Sequence, residues 1–116
     1  MRLTLPFPPP TNGLYRNTKD RGGRAKTTRY KAWQNNAILD LVEQGITRQP
    51  IVTGPIHLVM VFGRPDRRKR DLDNLLKAPI DLLVSQGVIE DDRNVQSIVA
   101  NWGVGKGVEV VVDRAG

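Results

Sequence analysis

The stretch Ile56 to Phe62 restricts the fold more than any other: Ile56, Leu58, Met60 and Phe62 alternate with His57, Val59 and Val61, predicting a strand apolar on both faces. Such a strand belongs in the centre of a sheet. Met1 to Leu5 alternates as a second, shorter strand. The run Pro6-Phe7-Pro8-Pro9-Pro10 ends it, because proline offers no donor to a ladder, and extended chain follows. Beyond the candidate caps Thr27-Thr28, Tyr30, Trp33, Ala37 and Leu41 recur at helical spacing, with Ile38 and Val42 beside them, up to Gly45. Pro50 to Pro55 reads as a connector. After the central strand, Leu72, Leu75, Leu76, Ile80 and Leu83 predict a second helix closing at Gly87. Pro79 should kink it by removing the bond to the Leu75 carbonyl, unless the first turn begins later. Strands at about Val95 to Trp102 and Val108 to Asp113 are joined by Gly103-Val104-Gly105-Lys106-Gly107, in appearance a hairpin. The order is βαβαββ, with no internal repeat: an α/β (α+β) domain with a mixed sheet of about four strands and two helices.

A chain of 116 residues is near the modal size of one domain, so 1–116 is expected to fold as one, with room for a partner subunit to complete it. With 39% hydrophobic and 26% charged residues, the balance is that of a soluble globular protein. There is no cysteine and only one histidine, which excludes disulfides, thiolate zinc sites and histidine-rich metal sites; any metal is held by oxygen. Eighteen Lys and Arg against 12 Asp and Glu give a formal charge of +6, which points to a polyanionic partner, nucleic acid before anionic membrane. No apolar stretch is long enough to span a bilayer, and Met1-Arg2-Leu3-Thr4 lacks the apolar core of a secretory signal, so an intracellular protein is expected. Residues 11–27 carry Asn12-Gly13, Gly22-Gly23 and the cations Arg16, Lys19, Arg21, Arg24 and Lys26 with few apolar residues. They read as a mobile basic loop suited to phosphate contact.

The chemistry concentrates in Asp66-Arg67-Arg68-Lys69-Arg70-Asp71-Leu72-Asp73-Asn74-Leu75-Leu76-Lys77, a cationic run, two carboxylates and a lysine at one strand-to-helix junction. Mg²⁺ prefers carboxylate and water oxygens and takes one or two protein carboxylates, which Asp71 and Asp73 can supply. A turn after Gly87-Val88-Ile89 can bring back one carboxylate of Glu90-Asp91-Asp92 as a third. Phosphodiester hydrolysis needs an activated water and charge neutralisation at phosphorus, both of which a bound metal provides. Lys77, one helical turn after Asp73, can reach a phosphate or steady the carboxylate. Each feature also has a plain structural explanation. Asp71 can be an N-cap and Asp73 a first-turn carboxylate, Asp91 and Asp92 turn residues, Arg67 to Arg70 a solvated run, and Lys77 a surface lysine. His57 is given no role, Trp33 belongs to the core, and Trp102 to core or dimer surface.

At these residues the chain resembles the RusA family of Holliday junction resolvases, common in phages and prophages. The likeness runs from Pro8-Pro9-Pro10-Thr11-Asn12-Gly13-Leu14-Tyr15-Arg16, similar to the family's Pro-Pro-x-x-Asn loop, through Asp66 to Lys77, to Gly87-Val88-Ile89-Glu90-Asp91-Asp92. It implies a crossover junction endodeoxyribonuclease of the bacterial cytoplasm or a phage-infected host. Asp71, Asp73 and Asp92 would be catalytic metal ligands for Mg²⁺ (Mn²⁺ as substitute), with Lys77 assisting and Asp91 and Asn74 supporting. It further implies a homodimer that nicks four-way DNA symmetrically, with no membrane and no small-molecule cofactor. Arg16, Arg64, Arg67, Arg68, Lys69 and Arg70 are the expected DNA contacts. The alternative is a non-catalytic basic DNA-binding module in which the aspartates only cap and turn.

Overall fold

The computed structural model describes residues 1–19 and 22–116. Along them run β1 (Arg2–Leu5), β2 (Tyr15–Asn17), β3 (Arg24–Lys26), α1 (Thr28–Glu43), β4 (Ile56–Gly63), α2 (Lys77–Ser85), β5 (Val95–Gly103) and β6 (Val108–Arg114). The strands form a four-stranded mixed sheet in the order β1-β6-β4-β5 and a separate two-stranded ribbon, β2-β3. As its composition predicts, β4 is central: it pairs in parallel with β5 and antiparallel with β6.

Only one face of that sheet is sealed. Ile56, Leu58, Met60 and Phe62 are fully buried, and their cross-strand neighbours Val108, Val110 and Val112, with Leu3 and Leu5 beyond them, extend the same apolar layer. On the other face of β4, Val59 and Val61 are half-buried, and His57 is exposed with its Nδ1 2.6 Å from Ser97 Oγ. The sealed layer is covered by Tyr30, Trp33, Ala37 and Leu41 of α1, the set its helical spacing picked out, and by Leu75, Ala78, Leu82 and Leu83 around α2. Trp33 is a core residue whose indole N–H donates to the Pro6 carbonyl at 2.9 Å. Thr27 caps α1, its Oγ1 accepting from the Tyr30 N–H at 3.2 Å, and the helix ends before Gly45 at φ 74°.

Three expectations change. Residues 11–27 are not a plain loop: β2 and β3 pair within it, with Tyr15 opposite Lys26. Leu14 is fully buried and Tyr15 meets Tyr30 edge-on, so two apolar side chains suffice to anchor a segment otherwise made of polar residues. Arg21 lies outside the described residues. Pro79 causes no break, because a 3₁₀ turn at Leu72–Leu75 precedes α2 and places Pro79 in its first turn, where an N–H would have no helical partner.

The third change concerns the sheet. β5 and β6 do not form a hairpin but flank β4 on opposite sides, and the glycine-rich link 103–107 passes over the end of the central strand. The Gly63 N–H donates to the Gly107 carbonyl at 2.8 Å, and a Cβ on Gly63 would land on the Gly105 carbonyl. Glycine is required by that close approach. Gly63→Ala is therefore expected to lower stability by about 1–3 kcal/mol through overpacking against backbone. The midpoint of urea unfolding measures this, and an unchanged midpoint would contradict the crossing.

Candidate active site

Parallel pairing of β4 with β5 obliges the intervening chain to cross back over the sheet, and this crossover carries the acidic residues. Its first half turns through Leu72–Leu75, where buried Leu75 pins the turn to the core and the Asn74 N–H donates to the Asp71 carbonyl at 3.2 Å. Thr11 Oγ1 donates to the Asn74 carbonyl at 3.1 Å, tying the N-terminal loop to the same turn. The second half is clamped by the connector before β4: the Val52 N–H donates to the Val88 carbonyl (2.9 Å) and the Glu90 N–H to the Val52 carbonyl (3.2 Å). Asp91 then accepts from the Arg93 N–H at 2.9 Å and from Arg93 Nε and Nη2 at 3.1 and 2.8 Å. Those donors hold its carboxyl well below the usual carboxylate range. Asp91 is thus spent on the turn Asp92–Asn94, while Asp92 stays exposed.

Asp73 and Asp92, from the two ends of the crossover, line one cleft of about 390 Å³ together with Lys77 and Asp81. Leu76, Ile80, Val95 and Ile98 are its apolar walls. Lys77 Nζ lies 3.2 Å from Asp81 Oδ2, so its ion-pair partner is Asp81. A second opening, of about 360 Å³, continues past Asp81 and Asp92 to Tyr15, Lys26 and Tyr30. The Tyr30 phenol is pushed up to about 12, chiefly by burial and then by Tyr15 and Asp81, so it stays protonated at neutral pH.

Asp71 does not join Asp73. It lines a neighbouring cleft of about 310 Å³ with Asn12, Arg29, Arg68, Lys69, Arg70 and Asn74. Among the described residues no three His, Asp or Glu side chains are gathered closely enough to cage a metal ion. With Asp81 paired to Lys77, the two remaining carboxylates of that cleft, Asp73 and Asp92, still fit Mg²⁺, which usually keeps several waters and takes one or two protein carboxylates.

The expected DNA contacts divide by how free they are. Asp66 accepts from Arg70 Nη1 and Nη2 at 2.6 and 2.9 Å and from the Arg68 N–H at 2.9 Å, which keeps its carboxyl well below the ordinary range and raises Arg70. Arg70 also lies over the Phe7 ring at 5.3 Å, and Arg64 over Trp102 at 4.0 Å. Arg16, Arg67 and Lys69 remain exposed, as does Arg68, whose Nε lies 3.8 Å from Asp66 Oδ2. Two residues escaped the sequence reading. Asp81 continues the four-residue spacing of Asp73 and Lys77, a signal that was available. Arg29 carries no local signal and reaches its cleft only because α1 begins beside the Pro10 turn.

Residues 6–113 match the family model described as endodeoxyribonuclease RusA. The chain is 36% identical over 98 residues to the crossover junction endodeoxyribonuclease RusA of Escherichia coli strain K12 and to that of Shigella sonnei, covering 80% of this chain and 74% of each relative. It is 34% identical over 93 residues to the crossover junction endodeoxyribonuclease of Enterobacteria phage 82, with the same coverage.

The Asp66 fork makes an immediate prediction. With its folded pKa below the unfolded value, the pair contributes stability above the ordinary carboxylate pKa and loses it as pH falls through the folded one. A carboxylate NMR titration should find Asp66 ionised at a pH where free aspartate is protonated, and Arg70→Gln should return it toward the ordinary value; an unmoved midpoint would deny the fork.

Proposed function

The chain belongs to the endodeoxyribonuclease RusA family, and on that footing we propose that it cuts crossover (four-way) DNA junctions as a Mg²⁺-dependent homodimer. The observation that carries the reading is the meeting of Asp73 and Asp92 in one cleft beside a cleft lined by cations. Asp73 and Asp92 would hold Mg²⁺, with Mn²⁺ as substitute, and Asp71 would complete the acidic set from the adjoining wall. When bound, the ion supplies an activated water and neutralises charge developing at phosphorus.

The chain's own side chains do the rest. Asp91, held by Arg93, fixes the turn that presents Asp92, and Asn74 closes the turn that carries Asp73, its N–H bonded to the Asp71 carbonyl. Lys77, steadied by Asp81, offers a positive charge to a phosphate entering the cleft. The exposed cations Arg16, Arg67, Arg68 and Lys69 would hold neighbouring phosphates, Arg64 would add its charge from over the Trp102 ring, and Arg70, gripped by Asp66, would contribute from over Phe7. Two such sites related by a two-fold axis would nick a two-fold junction symmetrically.

Asp73→Asn and Asp92→Asn keep shape and remove charge. Each is expected to lower Mg²⁺-dependent nicking of a synthetic four-way junction by about a hundredfold or more while junction binding persists. Undiminished nicking by either variant would refute the assignment. A wild-type protein that binds junctions and never nicks them would instead support a non-catalytic binding module.

A further inference from the structure

We propose that Arg29, with Asn12 and Lys69, forms a seat for a backbone phosphate flanking the one that is cut, and so sets where the DNA strand lies on the enzyme. The proposal rests on the endonuclease reading above.

Charge is sorted between two clefts that a single turn divides. On one side of Leu72–Leu75, Asp73, Asp81 and Asp92 outnumber Lys77. On the other, Arg29, Arg68 and Lys69 outnumber Asp71 once Arg70 is set against Asp66. A polyanionic strand is repelled by the first cleft unless cations hold it nearby, and the second is the adjoining place that can do so.

The cationic cleft is assembled from three separate stretches of chain: the turn at Pro10–Asn12, the first turn of α1, and the basic run after β4. Its walls are tied together. Thr11 Oγ1 bonds the Asn74 carbonyl, and the turn runs beside α1, a Cβ on Gly13 standing in ordinary van der Waals contact with Arg29 Nη1 at 3.7 Å. Arg29 has no acidic partner within ion-pair distance among the described residues, and neither does Lys69. A guanidinium held at a cleft wall without a carboxylate is a donor fork awaiting an anion, and phosphate matches its geometry. The Asn12 amide adds a neutral donor. Because Asp71 and Asp73 are two residues apart and face different clefts, a strand seated at Arg29 passes over Asp71 toward Asp73 and Asp92.

The test measures binding of a synthetic four-way junction without divalent metal at several salt concentrations, and nicking with Mg²⁺, for wild type, Arg29→Gln, Arg29→Lys and Arg48→Gln. Arg48 is an exposed residue of the turn Ile46–Arg48, outside both clefts, and controls for loss of charge alone. Arg29→Gln should bind about tenfold more weakly. Its log–log salt slope should fall by about 0.9, and KM should rise with kcat held. Arg29→Lys should recover the slope, and Arg48→Gln should match wild type. A wild-type slope and KM in Arg29→Gln, or an equal loss in Arg48→Gln, would overturn the seat. If wild type binds junctions and does not nick, the endonuclease reading fails and with it the place of the seat beside a cut, while a slope lost at Arg29→Gln still shows a phosphate contact at Arg29.

Discussion

The acidic cleft follows from one pairing: β5 lies parallel to β4, residue by residue from His57 opposite Ser97 to Gly63 opposite Gly103. Parallel neighbours cannot be joined by a tight turn, so some thirty residues must return across the sheet before β5 can start. That return path contains the basic run, the Leu72–Leu75 turn, α2 and the Asp91-Asp92 turn. Buried Leu75, Leu82, Leu83 and Ile89 fasten it to the core, and its polar side chains are left facing outward. The cleft shared by Asp73 and Asp92 is a consequence of closing this path at both ends.

A second constraint is electrostatic. Carboxylates that would attract a divalent cation also repel the DNA on which the proposed reaction occurs, and the fold answers by placing opposite charge one turn away. Asp66 takes part although it lies outside both clefts. By gripping Arg70 and the Arg68 N–H it folds the basic run back on itself and leaves Arg68 and Lys69 at the cationic cleft. Arg70 over Phe7 and Arg64 over Trp102 extend that surface across the ring stack of Phe7 and Trp102. Lys77 is similarly governed by a partner, Asp81, so its charge is presented from a fixed position.

Much of this was legible from residue patterns because local and tertiary preferences agree. The alternation from Ile56 to Phe62 announced the central strand, and the spacing of Tyr30, Trp33, Ala37 and Leu41 announced the buried face of α1. Asp71 and Asp73 were visible at a strand-to-helix junction and Asp92 was singled out from the later acidic cluster by the family resemblance; the structure lines one cleft with Asp73 and Asp92 and sets Asp71 in the next. What escaped depends on partners remote in sequence. A glycine-rich link reads the same whether its strands pair or straddle a third, and only β4 between β5 and β6 decides it. The ribbon of β2 and β3 rests on Leu14 and Tyr15 reaching the core, and Arg29 matters only beside Asn12 and Lys69.

The central claim is that Asp73 and Asp92, nineteen residues apart, act as one site. Titration of the protein with Mg²⁺, followed by the carboxylate carbon resonances of its aspartates, addresses it most directly. The account predicts that the signals of Asp73 and Asp92 move together along one binding curve while that of Asp113, on the strand β6, stays still. Movement of one without the other, or of neither at concentrations that support nicking, would contradict it.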